Sequence, residues 1–122
     1  MIRVTVQGAK ITGMSLVERV ASVTIIFRVF NPTDKLLTLR SLTYGIHKDG
    51  KKVADGKIDA KLKINPHSSE YVFSAVQLPL FWFFARSLLE LKDRGHMVLD
   101  VVGTADVDDA QTKFETIWKI GE

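Results

Sequence analysis

Three histidines are the side chains most able to carry acid-base or metal chemistry near neutral pH. His47, His67 and His96 stand singly in the sequence, and none has a second ligand at a spacing typical of metal sites. His67 precedes Ser68, but a hydroxyl next to an imidazole in sequence is not the aligned pair that nucleophilic catalysis requires. We therefore interpret the histidines as surface residues and Ser68 as part of a turn.

Other reactive groups are equally scattered. The carboxylates of Asp106, Asp108 and Asp109 are close in sequence, but a calcium loop would need a glycine at its sharp turn and a bidentate glutamate. The eight glycines are isolated, so none forms a phosphate-binding loop, and the chain has no cysteine. We predict that the protein is not an enzyme and has no catalytic residue, no cofactor and no metal site.

The positive charge is concentrated in one segment. Between residues 48 and 63 there are six lysines and three aspartates, in a chain of net charge +3. Lys57, Lys61 and Lys63 fall on one face of a predicted strand, which is typical of a solvated or edge strand because lysine discourages pairing with another edge. Aspartates interrupt the cluster and no aromatic residues lie between the lysines, which argues against nucleic acid as a partner. These lysines are also candidates for the charged rim of an interaction surface.

The elements that would position these residues are mainly strands. The length of 122 residues suits a single domain over residues 1–122. From Val23 to Phe30 apolar residues recur with a period of two, which predicts a central strand that ends at Asn31-Pro32. Asp49-Gly50 predicts a tight hairpin turn. In the strand that follows, we expect a β-bulge at Gly56.

Further strands are predicted over residues 71–78, 97–107 and 114–120, which gives seven or eight in all. Residues 80–94 have helical spacing instead and predict one α-helix. On this helix Trp82 lies at the margin of the apolar stripe and Phe83 falls among the polar residues. Either the helix begins after Phe83, or this aromatic pair is partly exposed and forms an apolar anchor for a partner.

The sequence also bears on location. The longest apolar run, residues 78–85, is too short to span a bilayer, and the amino terminus reads as a strand and not as a signal peptide. We therefore expect a cytoplasmic protein. A membrane-anchored extracytoplasmic form is the alternative if an upstream segment has been removed.

Several of these features together resemble the water stress and hypersensitive response (WHy) domain of the type 2 late embryogenesis abundant (LEA) proteins. The resemblance spans about residues 15–122. It consists of a strand ending in Asn-Pro, a Leu-x-Tyr strand, a glycine hairpin and a later glycine-bearing strand. The residues that match this pattern are Asn31, Pro32, Tyr44, Gly50, Gly56 and Gly103.

The resemblance implies an immunoglobulin-like or fibronectin type III-like antiparallel β-sandwich with one helix, in which the matching residues are structural. It also implies a non-catalytic stress-response protein that protects against desiccation by contact with client proteins or a membrane surface. The alternative is a protein-protein interaction or adhesion module. We expect a monomer or a weak dimer.

Overall fold

The computed structural model describes residues 2–79, 93, 95–108 and 110–121. These residues form seven strands, all paired in antiparallel fashion: β1 (Arg3–Ser15), β2 (Val20–Asn31), β3 (Leu37–Lys48), β4 (Lys51–Ile64), β5 (Ser68–Pro79), β6 (His96–Val107) and β7 (Ala110–Gly121). The predicted β-sandwich is thereby confirmed. The helix predicted at about residues 80–94 lies outside the described residues apart from Asp93, and so do Trp82 and Phe83.

The strands form two sheets, one of three strands in the order β1-β2-β5 and one of four in the order β4-β3-β6-β7. Strand β2 lies between two neighbours, as the alternation from Val23 to Phe30 predicted. Strand β4, which carries the lysines, is an edge strand. The chain crosses from one sheet to the other after β2, β4 and β5, so the sheets are connected three times along the sequence.

Alternate residues of the strands fill the space between the sheets. On β2 the buried set predicted from the sequence is at most 4% exposed, whereas its neighbours are half-buried. Phe27 of β2 meets Tyr44 of β3 across the core, with ring centroids 4.9 Å apart and tilted by 59°. Other fully buried side chains come from both sheets: Ile25, Val29, Leu39, Leu42, Ile46, Ile64, Leu78, Met97, Leu99 and Val101.

Because every strand reverses direction, the connections gather at two ends of the sandwich. One end, which we name the tied end, contains the loop 32–36, the turn 65–67 and the β6–β7 turn at Asp108. The other, the hairpin end, contains the β1–β2 turn at residues 16–19 and the β3–β4 turn at Asp49-Gly50.

Asn31 organises the tied end with a fully buried side chain. Its Nδ2 donates hydrogen bonds to the carbonyl oxygens of Lys35 (2.7 Å), Ile64 (3.0 Å) and Asn65 (3.2 Å). Its Oδ1 accepts from the backbone N–H and hydroxyl of Thr33 at 2.9 and 2.6 Å. The turn predicted at Asn31-Pro32 is confirmed, and its asparagine joins the β2–β3 loop to the β4–β5 turn.

The β4–β5 turn is closed by a hydrogen bond from Ser68 N–H to the carbonyl of Asn65 (3.2 Å). With Pro66 second and His67 third at φ 54°, the turn is of type II, which ordinarily favours glycine at the position of His67. The His67 ring Nε2 lies 2.6 Å from Asp34 Oδ1 in the β2–β3 loop. Ser68 Oγ donates to the carbonyl of Pro66, so the hydroxyl takes part in the turn as predicted.

The β6–β7 turn is held to β3. Asp108 N–H donates to the carbonyl of Thr38 at 2.9 Å, and Thr38 N–H donates back to Asp108 Oδ1 at 3.1 Å. Asp108 has a φ of 53°, a conformation that aspartate tolerates better than most residues. This carboxylate therefore fixes a turn.

The prediction of a bulge at Gly56 is wrong. Gly56 pairs directly with Tyr44, and the irregularities of β4 lie at Val53 and near Ala60–Lys61. The extra residue at Val53 changes the face of the strand, which explains why Val53 and Ile58, five residues apart, both contact the core.

Candidate functional site

Three of the residues that carried the family resemblance form one row across the four-stranded sheet. Gly56, Tyr44 and Gly103 are direct neighbours on β4, β3 and β6, and Phe114 of β7 completes the row. A Cβ atom on Gly56 would lie 2.5 Å from Tyr44 Oη. One on Gly103 would lie 2.6 Å from Phe114 Cζ and would also clash with the backbone carbonyl oxygen of Thr43. Each glycine therefore makes room for an aromatic ring on the neighbouring strand.

The hydroxyl of Tyr44 links the two sheets by donating a 2.6 Å hydrogen bond to Ser74 Oγ on β5. Burial raises the pKa of Tyr44 above its usual value, the nearby charge of Asp55 raises it further, and the hydrogen bond with Ser74 partly opposes both. A phenol held in its neutral form in this way serves as a cross-sheet tie.

The other matching residues belong to turns. Asn31 and Pro32 begin the β2–β3 loop at the tied end. Gly50 follows Asp49 in the β3–β4 hairpin, and their φ values of 80° and 52° are those of a type I′ turn, so the tight hairpin that the sequence predicts is confirmed.

The outer side of the four-stranded sheet, which we name the charged face, mixes both signs of charge. Along the exposed edge strand β4, Asp59, Lys57, Asp55 and Lys52 alternate in sign. Lys52 Nζ lies 2.7 Å from Asp55 Oδ2, and Lys57 Nζ lies 3.6 Å from Asp59 Oδ1. Exposed pairs of this kind contribute little to stability, so their main effect is on the charge and hydration of this surface.

A shallow cleft of about 490 Å³ opens over Gly45 on the charged face. Residues of β3, β4 and β6 line it: Thr43, Tyr44, Gly45, His47, Lys52, Asp55, Gly56, Lys57, Val102, Gly103 and Thr104. His47 Nδ1 is buried there and has no hydrogen-bond partner among the described residues. The cleft offers hydroxyls, ammonium groups and a carboxylate on an open floor, which suits polar surface contact.

The three predicted rim lysines are exposed on β4, as expected. Lys57 borders the cleft, Lys63 lies opposite Thr38, and Lys61 lies at the irregular pairing near Arg40. Their position on an edge strand favours the interpretation that they discourage edge-to-edge pairing. The aromatic pair expected beside them, Trp82 and Phe83, lies outside the described residues.

The outer side of the three-stranded sheet bears a different surface, which we name the aromatic strip. It consists of Ile26, Arg28 and Phe30 of β2 with Tyr71 and Phe73 of β5. Tyr71 and Phe73 are 51% and 63% exposed, and the Arg28 guanidinium lies 5.5 Å from the centre of the Phe30 ring. The β2 residues are half-buried.

Sequence reasoning predicted strand β5 but missed this surface. The signal was present, because the buried alternate set Val72, Val76 and Leu78 places Tyr71 and Phe73 on the opposite, solvent-facing side. Two neighbouring aromatic rings on a solvent-facing side form an exposed apolar patch, and such patches are typical of interaction sites.

The structure keeps the candidate reactive groups apart. His47 lies near the hairpin end of β3, His67 lies in a turn at the tied end, and the side chain of His96 is not described. Among residues 2–79, 93, 95–108 and 110–121, no three His, Asp or Glu side chains are grouped as metal ligands. That part of the chain also holds no helix long and apolar enough to cross a bilayer.

Comparisons with known proteins agree on the fold. No family model and no curated protein sequence matches the chain. A solution structure of an Arabidopsis thaliana protein is similar over 98% of this chain and 80% of its own, with a TM-score of 0.70 and 13% identity. A protein provisionally described as late embryogenesis abundant (LEA) is similar over 100% of this chain and 71% of its own, with a TM-score of 0.56 and 16% identity.

A crystal structure of a protein from Archaeoglobus fulgidus is similar over 96% of this chain and 97% of its own, with a TM-score of 0.54 and 13% identity. At these identities the likeness concerns the fold and not the activity. This chain therefore has a sandwich fold similar to one found in a plant protein, in an archaeal protein and in a protein described as LEA.

Proposed function

We propose that the chain is a non-catalytic stress-response protein of the LEA type 2 kind, built on a WHy-like domain, that protects proteins or membranes by surface contact during water loss. Two lines support the proposal: the sequence resemblance carried by Asn31, Pro32, Tyr44, Gly50, Gly56 and Gly103, and the fold shared with a protein described as LEA.

The observation that carries the proposal is the aromatic strip. Proteins that lose water partly unfold and expose apolar surface, and contact with Tyr71 and Phe73 would shield that surface from other unfolded chains. Both rings stand on a strand that is paired along its length with the central strand β2, so the surface is already in place before a client arrives.

The charged face complements the strip. Its alternating lysines and carboxylates stay hydrated. A protein with one weakly adhesive face and one hydrated face can coat a client while keeping the assembly in solution.

The test is the recovery of a drying-sensitive enzyme after dehydration and rehydration, with wild-type protein compared to the double variant Tyr71→Ser/Phe73→Ser. The matched control is Val102→Ser/Ile117→Ser, which removes two exposed apolar side chains (41% and 57% exposed) from the charged face. We expect the strip variant to lose most of the protection and the control variant to retain it. Equal protection by all three proteins would contradict the role of the strip.

An interaction module for one specific partner is a second candidate, and the composition of the strip favours it. Tyrosine and arginine are enriched at binding hot spots, and Arg28 pairs directly with Tyr71 across β2 and β5. The two functions differ in selectivity, because a general protector acts on unrelated client enzymes at similar molar ratios. A specific module would bind one partner with saturation, and Trp82→Ser/Phe83→Ser would abolish that binding if the aromatic pair is its anchor.

A further inference from the structure

The β1–β2 hairpin carries the most exposed aliphatic side chains among the described residues. Leu16 and Val17, in the turn itself, are 80% and 94% exposed, and Ile11 and Met14 on the adjoining part of β1 are 62% and 54% exposed. Four aliphatic residues thus stand in water at the hairpin end, on the opposite side of the molecule from Asn31.

The turn is ordered without help from these side chains. Glu18 N–H donates to Ser15 Oγ at 3.2 Å, and Thr12 Oγ1 donates to the carbonyl of Ser22 at 3.2 Å. Arg19 adopts a φ of 59°, which reverses the chain into β2. Neither Leu16 nor Val17 is needed to close this turn, and a solvent-exposed turn would ordinarily be polar.

Shape and composition distinguish between a protein and a lipid partner. Specific protein interfaces bury about 800 Å² on each side around Trp, Tyr or Arg anchors, and Leu and Val are under-represented among those anchors. A convex tip with two aliphatic residues at its apex is too small for such an interface. Lipid requires no complementary pocket and accepts an aliphatic tip into the boundary between headgroups and acyl chains.

The charges beside the tip fit an anionic lipid surface. Lys10 and Arg19 are exposed on either side of the four aliphatic residues, against the single acidic residue Glu18 in this hairpin. In the β3–β4 hairpin of the same end, exposed Lys51 is matched by exposed Asp49. Basic residues near an anionic leaflet strengthen binding to it.

From these observations we infer that the β1–β2 hairpin tip is a membrane-contact site, which inserts Leu16 and Val17 into an anionic lipid surface while Lys10 and Arg19 contact headgroups. This inference rests on the proposed function, and it identifies an anionic lipid membrane as one surface that the protein contacts. It uses a surface different from the aromatic strip.

The test is co-sedimentation of the full chain with phosphatidylcholine vesicles, either alone or with about 30% phosphatidylserine to represent an anionic membrane. We expect wild-type protein to sediment with the anionic vesicles. Leu16→Ser/Val17→Ser should lower the partition coefficient at least about tenfold, because two aliphatic side chains no longer leave water. The matched control is Leu36→Ser, a half-exposed leucine at the tied end, which should bind as wild type does.

A second measurement reads insertion directly and does not depend on deleting the tip. Because the chain has no cysteine, Val17→Cys and Leu36→Cys each provide a single labelling site for an environment-sensitive fluorophore. We expect a blue shift with anionic vesicles at position 17 and none at position 36. Equal responses at both positions, or no sedimentation of wild type with anionic vesicles at low salt, would overturn the inference.

The lipid-free drying assay separates this inference from the proposed function. Leu16→Ser/Val17→Ser should still protect a dried enzyme, since the aromatic strip is intact. If the wild-type chain binds vesicles through the tip but does not protect dried enzymes, the membrane-contact site is supported and the proposed protection of proteins is contradicted.

Discussion

The two ends of the sandwich are stabilised in different ways. At the tied end, Asn31 reaches two connections, Asp108 is bonded to β3, and His67 meets Asp34, so that backbone groups of separate loops share side-chain partners. At the hairpin end, the β1–β2 turn closes on itself and presents aliphatic side chains to water. Side chains at the first end hold the fold together, whereas Leu16 and Val17 at the second are exposed to water.

Removal of the Asn31 side chain is expected to have the largest effect on stability at the tied end. Asn31→Ala should lower the free energy of unfolding by about 3–4 kcal/mol and the melting temperature by about 10–15 °C, because the carbonyl of Ile64 and the neighbouring loop lose their buried partner. Urea and thermal unfolding measure the effect. The control Asn65→Ala removes an exposed asparagine from the same end and should stay within about 0.5 kcal/mol of wild type. Similar losses in both variants would show that Asn31 is not the organising residue.

Between the two ends, the Tyr44–Ser74 hydrogen bond connects the two sheets. Tyr44→Phe should cost about 1–2 kcal/mol, and adding Ser74→Ala to the Tyr44→Phe variant should cost little more, since the same bond is already lost. Double-mutant-cycle unfolding measures this coupling, and strictly additive losses would argue against the tie.

The same residue gives stability a dependence on pH. Because burial raises the pKa of Tyr44 in the folded state, the neutral phenol stabilises the fold fully below pH 10, and this contribution is lost as pH rises through the folded-state pKa. Wild type should therefore lose stability above pH 10 more steeply than Tyr44→Phe. The control Tyr71→Phe, which removes an exposed phenol, should keep the wild-type slope.

A smaller effect is expected at the β4–β5 turn, where His67 combines a left-handed backbone with a contact to Asp34. His67→Gly should be more stable than His67→Ala by about 1 kcal/mol, because only glycine adopts the φ of 54° without steric cost. Asp34→Ala removes the contact alone and should cost less than about 1 kcal/mol, since both side chains are exposed. If His67→Gly is no more stable than His67→Ala, the left-handed backbone at this position carries no steric cost, and the expected effect is contradicted.

The smallest expected effect belongs to the hairpin end. Leu16→Ser/Val17→Ser should change the free energy of unfolding by less than about 0.5 kcal/mol, because both side chains are already in water in the folded state. A loss above about 1.5 kcal/mol would mean that the tip packs against the fold, and the contrast between the two ends would fail.

Much of the fold was readable from local patterns in the sequence. The alternation from Val23 to Phe30 predicted the central strand, and Asp49-Gly50 predicted the hairpin, because both depend on neighbouring residues. Gly56 was misread as a bulge because its role is set by the Tyr44 ring on another strand, which no local pattern reports.

The surfaces were predicted less well. The sequence pattern correctly predicts that the lysines of β4 lie on an exposed edge, but it predicts Tyr71 and Phe73 only as members of a strand. Their exposure follows from the way β5 packs, with Val72 and Ser74 turned toward the core. Asn31 was recognised as part of a turn, yet its bonds to Ile64 and Asn65, more than 30 positions away, depend on the tertiary structure.

The proposal that this sandwich protects by surface contact is tested most directly by the recovery of a drying-sensitive enzyme after dehydration. The full chain is compared with an equal mass of an unrelated β-sandwich, and enzyme activity is measured after rehydration. We predict recovery clearly above that of the unrelated sandwich. Equal recovery with the two proteins would contradict intrinsic protection and favour the module for a specific partner.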